Sequence, residues 1–96
     1  MGNQNNRSMC PKVVQKYIEK PCLINNRKFD IRQWVFVSSF EPLEAFVYKR
    51  AYLRICSKDF DIEQFNDIQR HISNYSINKV DELVMSVEDF IAYLKT

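Results

Sequence analysis

At 96 residues the chain makes one small domain, and its 46% hydrophobic and 14% aromatic content specifies a folded chain rather than a disordered one. The single glycine, Gly2, excludes the glycine-rich loops that commonly wrap nucleotide phosphates, so any grip on phosphate must come from side chains. The net charge of +2 hides a division: residues 1–58 hold 11 Lys+Arg against 4 Asp+Glu, a net of +7, and residues 59–96 hold 3 against 8, a net of −5. A basic first part fits an anionic partner, whether nucleotide, nucleic acid or acidic peptide, and it equally fits two solvated surfaces that offset each other.

The cysteines are Cys10, Cys22 and Cys56. An odd number without close pairing points to reduced thiols, and the only histidine, His71, is far from all three, so no zinc spacing is present. No apolar run approaches the ~20 residues of a membrane span, and no membrane partner is expected.

Along the chain, residues 1–12 are polar and Asn-rich and read as a disordered arm. Val13-Val14-Gln15-Lys16-Tyr17-Ile18 has the β-branched and aromatic content of a strand, closed by Lys20-Pro21. Cys22-Leu23-Ile24, Asn25-Asn26 and Arg27 onward read as strand, turn, strand, because Asn tolerates the left-handed backbone of a tight hairpin turn. The next strand runs from Lys28 to about Ser38. Its period of two puts Lys28, Asp30 and Arg32 on one face and Phe29, Ile31, Val35 and Val37 on the other, with Trp34 and Phe36 on the ionic side under a covering helix.

Phe40-Glu41-Pro42 breaks that strand, and Leu43 to Lys49 returns antiparallel to it. Tyr52-Leu53-Arg54-Ile55-Cys56 extends again, and Arg54 is placed to project beside Lys28, Asp30 and Arg32. After Ser57 the period changes. Asp61 with Gln64 resembles a capping box, and Ile62, Phe65 and Ile68 recur at helical spacing up to His71, which predicts a short amphipathic helix. His71 to Lys79 is polar and irregular. Ser86 with Asp89 caps a last helix whose Val87, Phe90, Ile91 and Leu94 form one stripe that needs a partner surface. The fold class is α+β, an antiparallel sheet with short helices.

Lys28, Asp30, Arg32 and Arg54 are the strongest chemical constellation. Lysine and arginine neutralise phosphoryl oxygens, and a carboxylate between them can orient a substrate group or reach a magnesium ion. A structural ladder of cross-strand ion pairs accounts for the same residues, and spacing alone does not separate the two. Gln15-Lys16-Tyr17-Ile18 ends an extended run before a proline bend, where backbone groups can meet a purine edge and a lysine can meet phosphate. An exposed Lys16 on an ordinary strand is the plainer explanation. His71, a lone histidine, is more often a hydrogen-bonding structural residue than an acid or base.

Four motifs in the same order and at compatible spacing resemble the tubulin tyrosine ligase-like family. They are Val13-Val14-Gln15-Lys16-Tyr17-Ile18-Glu19 to Pro21, Arg27-Lys28-Phe29-Asp30-Ile31-Arg32-Gln33-Trp34-Val35, Tyr52-Leu53-Arg54, and His71-Ile72-Ser73-Asn74-Tyr75-Ser76-Ile77-Asn78-Lys79. The resemblance covers Val13 to Lys79, and residues 13–96 are expected to be part of an ATP-grasp domain.

The resemblance implies an ATP-dependent ligase that adds Tyr, Glu or Gly to tubulin through an acyl-phosphate. It implies that Gln15, Lys16, Tyr17 and Ile18 lie at a hinge where backbone groups meet adenine and the lysine meets phosphate, and that Lys28 and Asp30 contact the nucleotide. Arg32 and Arg54 fall on the phosphate and acceptor side as the catalytic pair. His71 and Asn74 match a motif without an assigned role.

The implied cofactor is ATP with Mg2+, whose metal ligands would lie outside this chain, as would the family's amino-terminal domain and its upstream phosphate-binding lysine. The expectation is therefore a fragment, inactive alone, working on tubulin or microtubules with acidic tails in the cytoplasm, the cytoskeleton, or a cilium or flagellum. The alternatives are a noncatalytic basic module that binds acidic tubulin tails and, more weakly supported, a small nucleic-acid-binding domain.

Overall fold

Asn25 and Asn26 make the first turn. Both take positive φ (48° and 66°), which Asn tolerates better than other residues with a Cβ, and they join β1 (Leu23–Ile24) to β2 (Arg27–Arg32) as the sequence predicts. This comes from a computed structural model that describes residues 10–79 and 83–96. The expected polar arm lies largely outside the described residues.

β2 pairs antiparallel with β5 (Tyr52–Ile55), and β5 pairs antiparallel with β6 (Val84–Ser86), giving a four-stranded sheet in the order β1-β2-β5-β6. A separate two-stranded sheet is formed by β3 (Val35–Phe40) and β4 (Leu43–Val47), joined across a cis Glu41–Pro42 bond. Among the described residues the α-helices are a single turn, α1 (Tyr75–Asn78), and α2 (Val87–Leu94). This is the α+β arrangement expected from the sequence.

The long strand from Lys28 to Ser38 does not exist as one element. It divides at Gln33-Trp34, where the Trp34 carbonyl takes the Tyr48 amide (3.0 Å) and the Gln33 side chain donates to the carbonyls of Trp34 (3.0 Å) and Tyr48 (2.8 Å), so from here the chain pairs with β4 instead of β5. Val35 and Val37 thus leave the apolar face of β2. Trp34 and Phe36 lie under no helix among the described residues: they are 66% and 67% exposed on the projecting β3–β4 hairpin.

Two further expectations are corrected. Val13 to Ile18 joins no sheet, and Val13 and Val14 are exposed; strand propensity has no effect without a neighbouring edge to pair with. The helix expected over residues 61–71 is a series of turns ending in one 3-10 turn, Ile68–Arg70. The Asp61 carboxylate accepts from the amide of Glu63, two residues on, which makes a local turn rather than a helix cap. Phe65 stacks on His71, ring centroids 6.1 Å apart, in place of a helical stripe.

The last helix starts as expected, with Ser86 Oγ accepting from the Asp89 amide at 3.1 Å. Phe90 packs on Phe29 of β2 (5.2 Å between centroids), and the Tyr93 hydroxyl accepts from the Asn25 amide, so α2 covers the Phe29 end of the sheet's apolar face and leaves Ile31 exposed. Ile91 and Leu94 remain substantially exposed. Leu53, opposite Ile31 and Met85, is buried with Ile24 on this side, and each such side chain contributes about 1.5–3 kcal/mol. Among the described residues no helix is long and apolar enough to cross a membrane.

Candidate functional site

Residues opposed in an antiparallel pair share a face. Asp30 opposes Arg54 and Arg32 opposes Tyr52, so Lys28, Asp30, Arg32, Tyr52 and Arg54 lie on the side of the sheet away from α2. The sequence placed the four charged residues together, and the fold does so too.

What holds them was not foreseen. The segment from His71 to Tyr75 runs over this face and meets its charges in order. The His71 carbonyl accepts from Lys28 Nζ at 3.0 Å, Ser73 Oγ donates to Asp30 Oδ2, Asn74 Oδ1 accepts from an Arg32 terminal nitrogen at 2.9 Å, and the Tyr75 ring lies 5.5 Å from the Arg54 guanidinium. Asn78, buried at the end of α1, anchors the segment. Its Oδ1 accepts from the Ser57 amide and hydroxyl, and its Nδ2 donates to the carbonyls of Ile72 and Asn74.

The face is not a ladder of ion pairs. Among the described residues its one such contact is Arg32 to Asp30 at 3.6 Å, and Lys28 and Arg54 have no carboxylate within 4.0 Å. Lys28 is held by neutral oxygens, with its ammonium 3.3 Å from the Tyr17 hydroxyl and 4.8 Å from that ring's centre, and Arg54 lies over a ring. Arg32 Nε is buried and has no hydrogen-bond partner among the described residues. Three cations against one carboxylate leave this surface positive, with donors directed by neutral groups and free to take an anion.

Two open cavities flank the charged residues. One, about 410 Å³, is lined by Arg32, Trp34, Tyr52, Arg54, Asn74 and Tyr75. The other, about 350 Å³, is lined by Gln15, Lys16, Tyr17, Ile18 and Lys28, so the whole of that sequence motif meets β2 even though it is not a strand. Within it, Lys16 reaches back to Glu19 at 2.8 Å. Lys28 and Asp30 lie between the two groups along β2.

His71 and Asn74 share this side of the molecule, though not as neighbours on a helix: His71 follows the 3-10 turn and Asn74 precedes α1. Sequence reasoning missed Ser73, Tyr75 and Asn78. Their signal was the density of Ser and Asn in an irregular stretch, since such side chains bond to backbone and to neighbouring strands when no regular ladder does.

Cys56 is fully buried, and its amide donates to the Lys28 carbonyl. Burial pushes its thiol from 9.0 up to about 11, with the Lys28 ammonium pulling down and Asp30 pushing up. A thiol so placed is inert as a nucleophile near neutral pH. Among the described residues no group of three His, Cys, Asp or Glu is placed to hold a metal ion.

Comparison with known proteins bears on these residues. The model of the Tubulin-tyrosine ligase family matches residues 3–91. Tubulin glycylase 3E of Tetrahymena thermophila is 43% identical over 91% of this chain and 7% of its own length. Protein monoglycylase TTLL8 of Mus musculus is 46% identical over 70% of the chain and 8% of its own. Tubulin polyglutamylase ttll-4 of Caenorhabditis briggsae is 39% identical over 73% of the chain and 12% of its own. The chain thus spans 7 to 12% of the length of these relatives. The family match covers both flanking motifs, the charged strands and the segment that crosses them: the chain belongs to the tubulin-tyrosine ligase family.

Proposed function

We propose that this chain supplies one wall of the ATP site of an ATP-grasp ligase that joins an amino acid to tubulin. The observation that carries this reading is the excess of cations on the β2–β5 face, each oriented by a neutral group. Lys28 and Arg54, neither of them paired with a carboxylate among the described residues, fit a triphosphate, because each keeps its charge and at least one donor uncommitted.

In this reading the cavity lined by Gln15, Lys16, Tyr17 and Ile18 takes the adenine end, and Lys28 holds a phosphate oxygen. Asp30, fixed by Ser73, orients the nucleotide from the same strand. Arg32 and Arg54 line the second cavity, where they neutralise the phosphates and the incoming carboxylate. ATP, when bound with Mg2+, supplies the phosphoryl group that activates that carboxylate. Tubulin is the proposed protein substrate, from the names of the relatives, with Tyr, Glu or Gly as the amino acid, and the corresponding location is the cytoplasmic cytoskeleton or a cilium or flagellum.

In-line transfer requires groups on both sides of the nucleotide, and the face described here is one side. The 96-residue chain alone is therefore proposed to bind nucleotide without ligating. Titration with MgATP, followed by the fluorescence of Trp34 at the rim of the Arg32 and Arg54 cavity, tests the binding. Saturable binding, weakened about tenfold or more by Lys28→Met, is expected, since a charge-assisted hydrogen bond is worth about 1.5–3 kcal/mol. No saturable signal would remove the nucleotide reading. Incubation with ATP, tubulin and each amino acid tests the second half, and robust tubulin modification would overturn it.

The open, positive cavity at Arg32 and Arg54 also favours a second reading, a noncatalytic module that holds acidic tubulin tails. Co-pelleting with microtubules that is lost as salt rises is its expected mark, and absence of binding at low salt excludes it.

A further inference from the structure

His71 is the sole histidine of the chain, 8% exposed, within a cage of rings: Phe65 is stacked on it at 6.1 Å, and Phe60 and Tyr17 stand edge-on at 5.5 and 5.6 Å. Both ring nitrogens are engaged. Nε2 lies 2.9 Å from the Gln64 carbonyl, and Nδ1 lies 2.7 Å from the Tyr17 hydroxyl.

A carbonyl oxygen only accepts, so Nε2 carries the ring proton. In that tautomer Nδ1 offers a lone pair, and the Tyr17 hydroxyl donates to it. The Tyr17 oxygen is left with lone pairs, one of which takes an N–H from Lys28 at 3.3 Å. Lys28 gives a second N–H to the carbonyl of His71 itself at 3.0 Å. Were Nδ1 also protonated, the Tyr17 hydroxyl hydrogen would have no acceptor among the described residues.

An ammonium has three N–H bonds. His71 directs two of them, one through its own carbonyl and one through Tyr17, and the third points away from both. We propose that His71 is a positioning residue that sets the Lys28 ammonium through the Tyr17 hydroxyl, leaving one N–H aimed at an anion. It is neither acid nor base: both nitrogens are committed to protein partners inside the aromatic cage. The anion is a phosphate oxygen of the nucleotide if the reading of Lys28 given above holds, and the proposal rests on that reading in this respect alone.

The test uses the full chain. Because there is one imidazole, a long-range 1H–15N spectrum at about pH 8, where ordinary imidazole is neutral, reports its tautomer without assignment. An Nε2–H ring with a pyridine-type Nδ1 is expected; an Nδ1–H ring, or a fast average of the two tautomers, overturns the proposal. Tyr17→Phe removes only the hydroxyl, so it should shift the Lys28 side-chain signals while the Gln64 carbonyl keeps the ring in its Nε2–H form, and Lys28 signals unchanged in that variant overturn the proposal.

His71→Asn keeps an acceptor near the Nδ1 position and should retain ATP affinity within about threefold, whereas His71→Phe, with the ring alone, should lose about tenfold. Equal losses in the two variants would count against positioning. If the unaltered chain binds no ATP yet shows the Nε2–H ring and the Lys28 shift in Tyr17→Phe, the nucleotide reading fails and the positioning role stands.

Discussion

Asp30 and Arg54 stand directly opposite each other on adjacent antiparallel strands, yet neither is spent on the other: Asp30 takes its hydrogen bond from Ser73, and Arg54 lies over the ring of Tyr75. An opposed pair of this kind commonly forms a cross-strand ion pair. Here a third segment separates them, and the arginine keeps its charge for something else.

That segment depends on one side chain. Asn78 makes four hydrogen bonds from a buried position, and truncation removes the acceptor of the Ser57 amide and hydroxyl and the donor to the Ile72 carbonyl, while the Asn74 carbonyl keeps the Ile77 and Asn78 amides. Asn78→Ala should therefore lower stability by about 2–4 kcal/mol, far above the typical cost of a surface change. Urea unfolding followed by far-UV circular dichroism measures it. A loss below about 0.5 kcal/mol would show that the segment is held elsewhere.

Cys56 should make the chain sensitive to alkali. Its folded thiol titrates at about 11 against 9.0 when exposed, so its contribution to stability is fully present below about 9 and is lost as pH rises through about 11. The full effect is on the order of 2–3 kcal/mol. Cys56→Ala should flatten the stability profile in this window. In the folded chain a thiol reagent should modify exposed Cys22 rapidly and Cys56 only upon unfolding.

Asp67 gives the opposite slope. Its carboxyl lies below the ordinary 3.8, chiefly because the Lys58 ammonium bonds it at 3.0 Å, with Arg70 adding a bond at 3.1 Å. A depressed folded value contributes stability above the unfolded one, and that contribution disappears as pH falls through the folded value. The stability difference between the unaltered chain and Asp67→Asn should shrink as pH drops below the usual carboxylate range. Denaturation at a series of acid pH values tests this.

The β3–β4 hairpin should contribute little to global stability. Phe36 and Phe46 pair across it at 6.5 Å, but both are exposed, so Phe36→Ser should cost less than about 1 kcal/mol. Leu53→Ala, at the centre of the larger sheet, should cost about 2–5 kcal/mol. Trp34, the sole tryptophan, should be readily quenched by acrylamide. Comparable costs at Phe36 and Leu53 would show that the hairpin is packed.

The period-two pattern of β2, the Asn25-Asn26 turn, the return through β3 and β4 and the Ser86 cap were legible in the sequence because each is set by neighbours within a few residues. The failures lie where distant groups decide. Val13 to Ile18 has strand composition but no edge to join, and Gln15 to Ile18 instead line a cavity with Lys28. Asp61 announces a helix, yet its carboxylate turns the chain within two residues. The grouping of Lys28, Asp30, Arg32 and Arg54 followed from spacing, whereas their one-to-one partners at His71, Ser73, Asn74 and Tyr75 lie far along the chain and follow from no local pattern.

Those partners are nearly consecutive, and so the segment works as a ruler laid across the charged face of β2 and β5. A substitution within it disturbs one contact. An insertion or deletion of a single residue between His71 and Ser73 would displace every later contact by one position at once, bringing Ser73, Asn74 and Tyr75 out of step with Asp30, Arg32 and Arg54. The number of residues in this stretch, and not only their identity, is what the charged surface requires.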